Sequence, residues 1–136
     1  MLNPRRTSRF HLHRNHLLRF IDPKAMQGLE IGAFDLPHIE PSEGACAFAD
    51  YRSTEELIAL AKSLPPYEPD FVVPVEYDLR QGYDGITNTF DWICGSHVVE
   101  HVPDLIGWLD ILASKLNHDG ILFLVVPDTQ QMQQLQ

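Results

Sequence analysis

Gly32 and Asp50 are the first pair of residues in this chain whose types and spacing could do chemistry. Gly32 closes the apolar run Gly28-Leu29-Glu30-Ile31-Gly32, and Asp50 follows 18 residues later, at the end of the run Ala45 to Ala49. A glycine after a strand lets a ligand approach bare backbone, because no Cβ stands in its way. An acid at that distance can accept hydrogen bonds from both hydroxyls of a ribose. Asp78, after the run Phe71 to Tyr77, and Ser96 and His97, after the run Phe90 to Gly95, are the other polar residues at run ends. Asp50 and Asp78 are equally suited to capping loops, so spacing alone leaves both readings open. Residues 33–37 read Ala-Phe-Asp-Leu-Pro and supply no further glycine. A pyrophosphate needs the close approach that such glycines give, which argues against a nicotinamide dinucleotide.

His97-Val98-Val99-Glu100-His101 has the order His-x-x-Glu-His, in which two histidines hold zinc and the glutamate is a general base. That chemistry needs both histidines on one helical face and a third protein ligand. Here the histidines follow an apolar run directly, and Pro103 opens the next helix after them. A peptidase site and a bound metal are therefore not expected, and the histidines can instead satisfy backbone groups at a turn. Cys46 and Cys94 form no Cys-x-x-Cys pair and sit in apolar runs, as buried, reduced thiols do.

The elements that position these residues alternate between short apolar runs and helical patterns, the rhythm of an α/β sandwich around a parallel sheet. Pro37 and Pro41 exclude a long helix after the first run. Ser53-Thr54-Glu55-Glu56 is a capping box that opens a helix carrying Leu57, Ala61 and Leu64 on one stripe, ended by Pro65-Pro66. Pro103 suits the first turn of a helix whose Leu105, Leu109, Leu112 and Leu116 recur at helical spacing, with Gly120 just past its end. The run Ile121 to Val126 is nearly continuous in hydrophobicity, as in a strand covered on both faces. Trp92 and Trp108 are expected in the core. The chain divides into a basic helical extension (1–24), a main domain (25–128) and a Gln-rich tail (129–136).

The net charge of −9 is unevenly spread. Residues 1–24 hold six of the ten basic residues and one acid, so four basic against eighteen acidic residues leave −14 on the remainder. Arg52, Lys62, Arg80 and Lys115 are too few for a basic face there, and nucleic acid is not an expected partner. The basic head reads as a leading helix with a solvated face, its Phe10, Leu17 and Ile21 packing on the domain. Contact of the head with RNA or an anionic surface and an organelle-targeting role are the alternatives. No apolar run approaches the ~18 residues that cross a bilayer, and a cytoplasmic location is expected.

Three blocks carry a family resemblance. Gly28-Leu29-Glu30-Ile31-Gly32-Ala33-Phe34 resembles the first motif of class I S-adenosylmethionine-dependent methyltransferases. Phe90-Asp91 through Ser96-His97-Val98-Val99-Glu100-His101-Val102-Pro103-Asp104 resembles that family's fourth strand and the start of its next helix. Asn117-His118-Asp119-Gly120 and the strand to Val126-Pro127-Asp128 continue the likeness, which spans roughly residues 26–128.

The resemblance implies a Rossmann-like three-layer α/β sandwich with a mainly parallel sheet ordered 3-2-1-4-5. It implies S-adenosyl-L-methionine as cofactor. Glu30 and Gly32 would line its amino-acid end, with Ala33 and Phe34 in backbone contact; Asp50 would hold the ribose, with Tyr51 and Arg52 near the adenosine. Asp78 would accept from the adenine amine with Leu79 against the ring, and Ser96 and His97 would close the methionine side. The implied activity is methyl transfer to an unidentified acceptor, a small molecule or glycan, with no catalytic residue assigned. The family's final two strands are expected to be missing, which would leave the fifth strand as an apolar edge for a partner, a second copy or the tail to cover. The alternative is a non-catalytic methyltransferase-like domain that binds cofactor weakly or serves as an interaction module.

Overall fold

The computed structural model describes residues 2–96 and 98–126, so His97 and the tail from Pro127 lie outside the described residues. In chain order the elements are α1 (Ser8–Leu17), β1 (Gln27–Ile31), β2 (Ala45–Asp50), α2 (Thr54–Ser63), β3 (Tyr77–Asp78), β4 (Phe90–Ser96), α3 (Leu105–Ser114) and β5 (Leu116–Val125). The strands form one parallel sheet in the order β3-β2-β1-β4-β5. The parallel α/β sandwich is what the alternating runs imply, and its Rossmann-like strand order is the one that the family resemblance implies.

Alternation along the strands divides the core between the two faces of the sheet. Leu29, Ile31 and Ile93 point to one face, where Trp108 and Leu112 of α3 cover them. Trp92 and Cys94 point to the other, against Leu17, Ile21 and Ile39, so α1 is an integral layer of the sandwich. Both tryptophans are buried. Gly28 must be a glycine, because a Cβ there would lie 1.8 Å from the Trp92 indole.

Local chemistry sets the helix starts. Ser53 and Glu56 form the reciprocal capping box of α2, and Thr7 accepts from the Phe10 amide at the start of α1. For α3 the cap is Asp104, whose side chain accepts from the Gly107 amide at 3.0 Å. Pro103 therefore stands just before the helix rather than in its first turn. No helix among the described residues is long and apolar enough to cross a membrane.

Two elements differ from their expected lengths. The run Phe71 to Tyr77 contributes only Tyr77–Asp78 to the sheet, preceded by a 3₁₀ turn at Pro69–Phe71. Pro74 has no N–H to give a ladder, although the Glu76 amide still reaches the Phe48 carbonyl at 2.9 Å. At the other edge, α3 ends at Ser114 and Leu116 is already in β5, paired with Phe90. The next pair in register is Trp92 with Ile121, so residues 117–120 bulge out of β5, with Asp119 at φ 63°. Pairing with β4 thus overrides the helical spacing of Leu116.

Candidate functional site

The chain runs outward from β1 to β2 and β3, then returns to the other side of β1 for β4, so strand order reverses between β1 and β4. In open α/β sheets ligands bind outside the carboxyl ends of the strands at such a point. A cavity of about 710 Å³ lies there, with Glu30, Gly32 and Ser96 contributed by the two strand ends. The loop after β1 adds Ala33, Phe34, Asp35 and His38, and the N-terminal segment closes the far side with Arg5, Arg9 and Phe10. Gly32 turns the chain at φ +71°, with the space beside its Cα bounded by Val98 at 3.2 Å. Phe34 also takes a left-handed conformation, φ 56°, and stacks on Tyr67 at 4.6 Å. The Arg5 guanidinium lies over the Tyr67 ring at 4.4 Å and pairs with buried Asp35 at 3.3 Å.

Glu30 is buried beneath this cavity. Its carboxylate accepts from the His38 amide at 2.8 Å and contacts the His38 ring Nδ1 at 2.9 Å. Both oxygens are thereby engaged with the loop. His38 Nε2 is buried with no hydrogen-bond partner, as is Asp35 Oδ1. Cys94 completes a buried trio with Glu30 and His38 whose ligand-type atoms lie within 4.8 Å of one another. Burial first, and the Glu30 charge second, push the Cys94 thiol well above its usual range, and the same causes raise Cys46. Cys94 is buried and Cys46 half-buried, both as free thiols.

Asp50 and Asp78 do not line that cavity; they stand side by side at the ends of β2 and β3, paired in register. Burial raises the Asp50 carboxyl, against hydrogen bonds from the Tyr51 and Arg52 amides. Asp78 is exposed, caps a 3₁₀ turn at Leu79–Gln81 and is held below the usual carboxylate range by its hydrogen bonds from Arg80. Arg80 also reaches Glu56 of α2 at 2.8 Å. Arg52 is exposed at the turn beyond β2, whereas the Leu79 side chain is buried in the core. Tyr51 is partly exposed, and its hydroxyl is 2.9 Å from that of Tyr83, which accepts from Trp108 Nε1 at 2.8 Å.

The structure thus gathers Glu30, Gly32, Ala33, Phe34 and Ser96 around one cavity and sets Asp50, Tyr51, Arg52, Asp78 and Leu79 along the neighbouring strand ends. Residues 99–101 of the His-x-x-Glu-His segment form one 3₁₀ turn and α3 begins only at Leu105, so Glu100 and His101 are not on an α-helix.

Asp35, His38, Tyr67 and the cavity-facing side of α1 are site residues that motif spacing misses. The basic head offers one signal, since the loop after β1 carries Glu40 and Glu43. Arg6 pairs with Glu40 at 3.8 Å, and Arg14 pairs with Glu43. Arg14 also donates to the His38 carbonyl. Those charges tie α1 to the loop instead of being merely solvated.

A family profile described as "Methyltransferase domain" matches residues 12–136. Comparison with curated proteins and with solved structures yields no significant match.

Proposed function

The chain belongs to the methyltransferase-domain family, and from that premise we propose that it binds S-adenosylmethionine along the carboxyl ends of β3, β2, β1 and β4 and passes the methyl group to an acceptor. One observation carries the reading. Asp78, Asp50, Gly32 and Ser96 stand in a row at neighbouring strand ends, and the adenine, ribose and methionine parts of the proposed cofactor would lie along that row in the same order. Asp78 suits an exocyclic amine, Asp50 a diol, and Gly32 a close approach to backbone.

The site's chemistry fits this occupant. Gly32 leaves a gap where a side chain would stand, and Asp35 Oδ1 and His38 Nε2 are buried polar atoms at the cavity still lacking partners. Tyr51 and Arg52 flank the adenosine position, and Leu79 supports it from within the core. Glu30 acts through His38, holding the loop that presents Ala33 and Phe34. His97 remains an expectation from the resemblance.

When bound, the sulfonium cofactor supplies an already activated methyl group, so binding and alignment are the chain's principal tasks. The test is calorimetric titration of the chain with S-adenosylmethionine and S-adenosylhomocysteine, repeated with Asp50→Ala. The expected result is micromolar binding that the variant loses. Ligand at about 100 times its dissociation constant should also stabilise the chain by roughly 2.7 kcal/mol. A folded chain that binds neither compound would overturn the reading.

A further inference from the structure

Of the row of strand ends, only Gly32 and Ser96 line the cavity. Part of the wall comes from α1 and the residues just before it, where Arg5, Arg9 and His13 line the same space. Nearby arginines have their charges matched, Arg5 by Asp35, Arg6 by Glu40 and Arg14 by Glu43. Arg9 is exposed at the cavity and has no hydrogen-bond or ion-pair partner among the described residues. The acids of the lining do not offset it, because Glu30 is engaged by His38 and Asp35 by Arg5. The first turn of α1 carries no acidic residue either.

A second observation points to an occupant. His38 lines this cavity too, and its buried Nε2 has no hydrogen-bond partner among the described residues. A guanidinium offers paired N–H groups that match an oxyanion, and such charge-assisted bonds are the strong ones.

Resting on the S-adenosylmethionine reading above, we propose that the methyl acceptor carries an anionic group, phosphate or carboxylate. This group seats on Arg9 beside His13 and leaves the reacting atom toward Gly32 and Ser96. Arg9 takes no part in the fold's own contacts, so Arg9→Ala should fold and melt like the parent chain.

The test is an NMR titration of the S-adenosylhomocysteine-saturated chain with inorganic phosphate and, separately, acetate, following the amides of residues 7–13. Saturable shifts are expected, with the tighter anion identifying the acceptor group. Arg9→Ala should weaken that binding at least about tenfold while leaving S-adenosylhomocysteine affinity unchanged. Absent anion binding, or equal binding by the variant, would overturn the proposal. It would also fall if Arg9→Ala weakened S-adenosylhomocysteine but not 5′-methylthioadenosine, since Arg9 would then serve the cofactor's own carboxylate. Failure of the parent chain to bind S-adenosylhomocysteine at all would remove the cofactor reading and this proposal with it.

Discussion

Glu30 holds His38 by two contacts, one to the backbone amide at 2.8 Å and one to the ring Nδ1 at 2.9 Å, and both side chains are buried. The strand residue thereby fixes a loop residue eight positions later, and the loop between them contributes Ala33, Phe34 and Asp35 to the cavity. Glu30→Ala would leave two buried donors without an acceptor. Each such loss costs about 1–3 kcal/mol, so urea unfolding should show a decrease of at least about 2 kcal/mol. Unchanged stability would mean that the loop is held by its contacts to α1 instead.

Tyr83 joins the β2 end of the row to the core, because its hydroxyl meets both Tyr51 and Trp108. Burial, and the hydrogen bond with Tyr51, raise its phenol above the usual range, so it stays protonated through neutral and mildly alkaline pH. Tyr83→Phe leaves the buried Trp108 N–H unpaired and frees the Tyr51 ring. We expect a loss of roughly 1–2 kcal/mol in stability, a shifted tryptophan emission, and weaker S-adenosylhomocysteine binding. If affinity holds while stability falls, Tyr51 does not touch the cofactor.

The strands along the chain and the polar residues at their ends were legible because apolar runs, turn residues and the Ser53–Glu56 box are local signals, whereas the 3-2-1-4-5 order came from the family resemblance alone. The N-terminal helix was legible in its inward face, where Phe10, Leu17 and Ile21 are buried. Its outward charges were not, because matching Arg6 and Arg14 to Glu40 and Glu43 requires knowing that α1 packs beside the loop after β1. The Glu30–His38 contacts have no sequence period for the same reason. Leu116 misled in the opposite way: it fits the α3 stripe by spacing, yet pairing with Phe90 draws it into β5.

Acid should weaken cofactor binding through Asp50. Burial raises this carboxyl, so the folded chain keeps its proton to higher pH than the unfolded chain. Its contribution to stability is therefore fully present below the unfolded pKa and lost as pH rises through the folded one. Accepting two ribose hydroxyls favours the charged form, which runs against that trend. S-adenosylhomocysteine affinity should decline as pH falls through the raised Asp50 pKa, with proton release on binding, measured by calorimetry in buffers of different ionisation enthalpy. Asp78, held low by Arg80, titrates at lower pH than Asp50. Asp50→Asn should flatten the dependence; an unaltered slope would assign it to another group.

Gly28 tests whether the sheet itself sets the site. An added Cβ would lie 1.8 Å from the Trp92 indole, and Trp92 is fully enclosed between β1 and the α1 layer, so it has nowhere to retreat. Overpacking of this kind costs typically about 1–3 kcal/mol, sometimes more. Because β1 and β4 are paired from Gly28–Trp92 to Ile31–Gly95, a displaced indole should part the two strands whose ends carry Gly32 and Ser96. Gly28→Ala is thus expected to lower both thermal stability and S-adenosylhomocysteine affinity, although residue 28 lies outside the large cavity. Gly85→Ala, where an added Cβ meets nothing within 4 Å, is the matched control and should alter neither. Equal behaviour of the two variants would show that the strands adjust without disturbing the site.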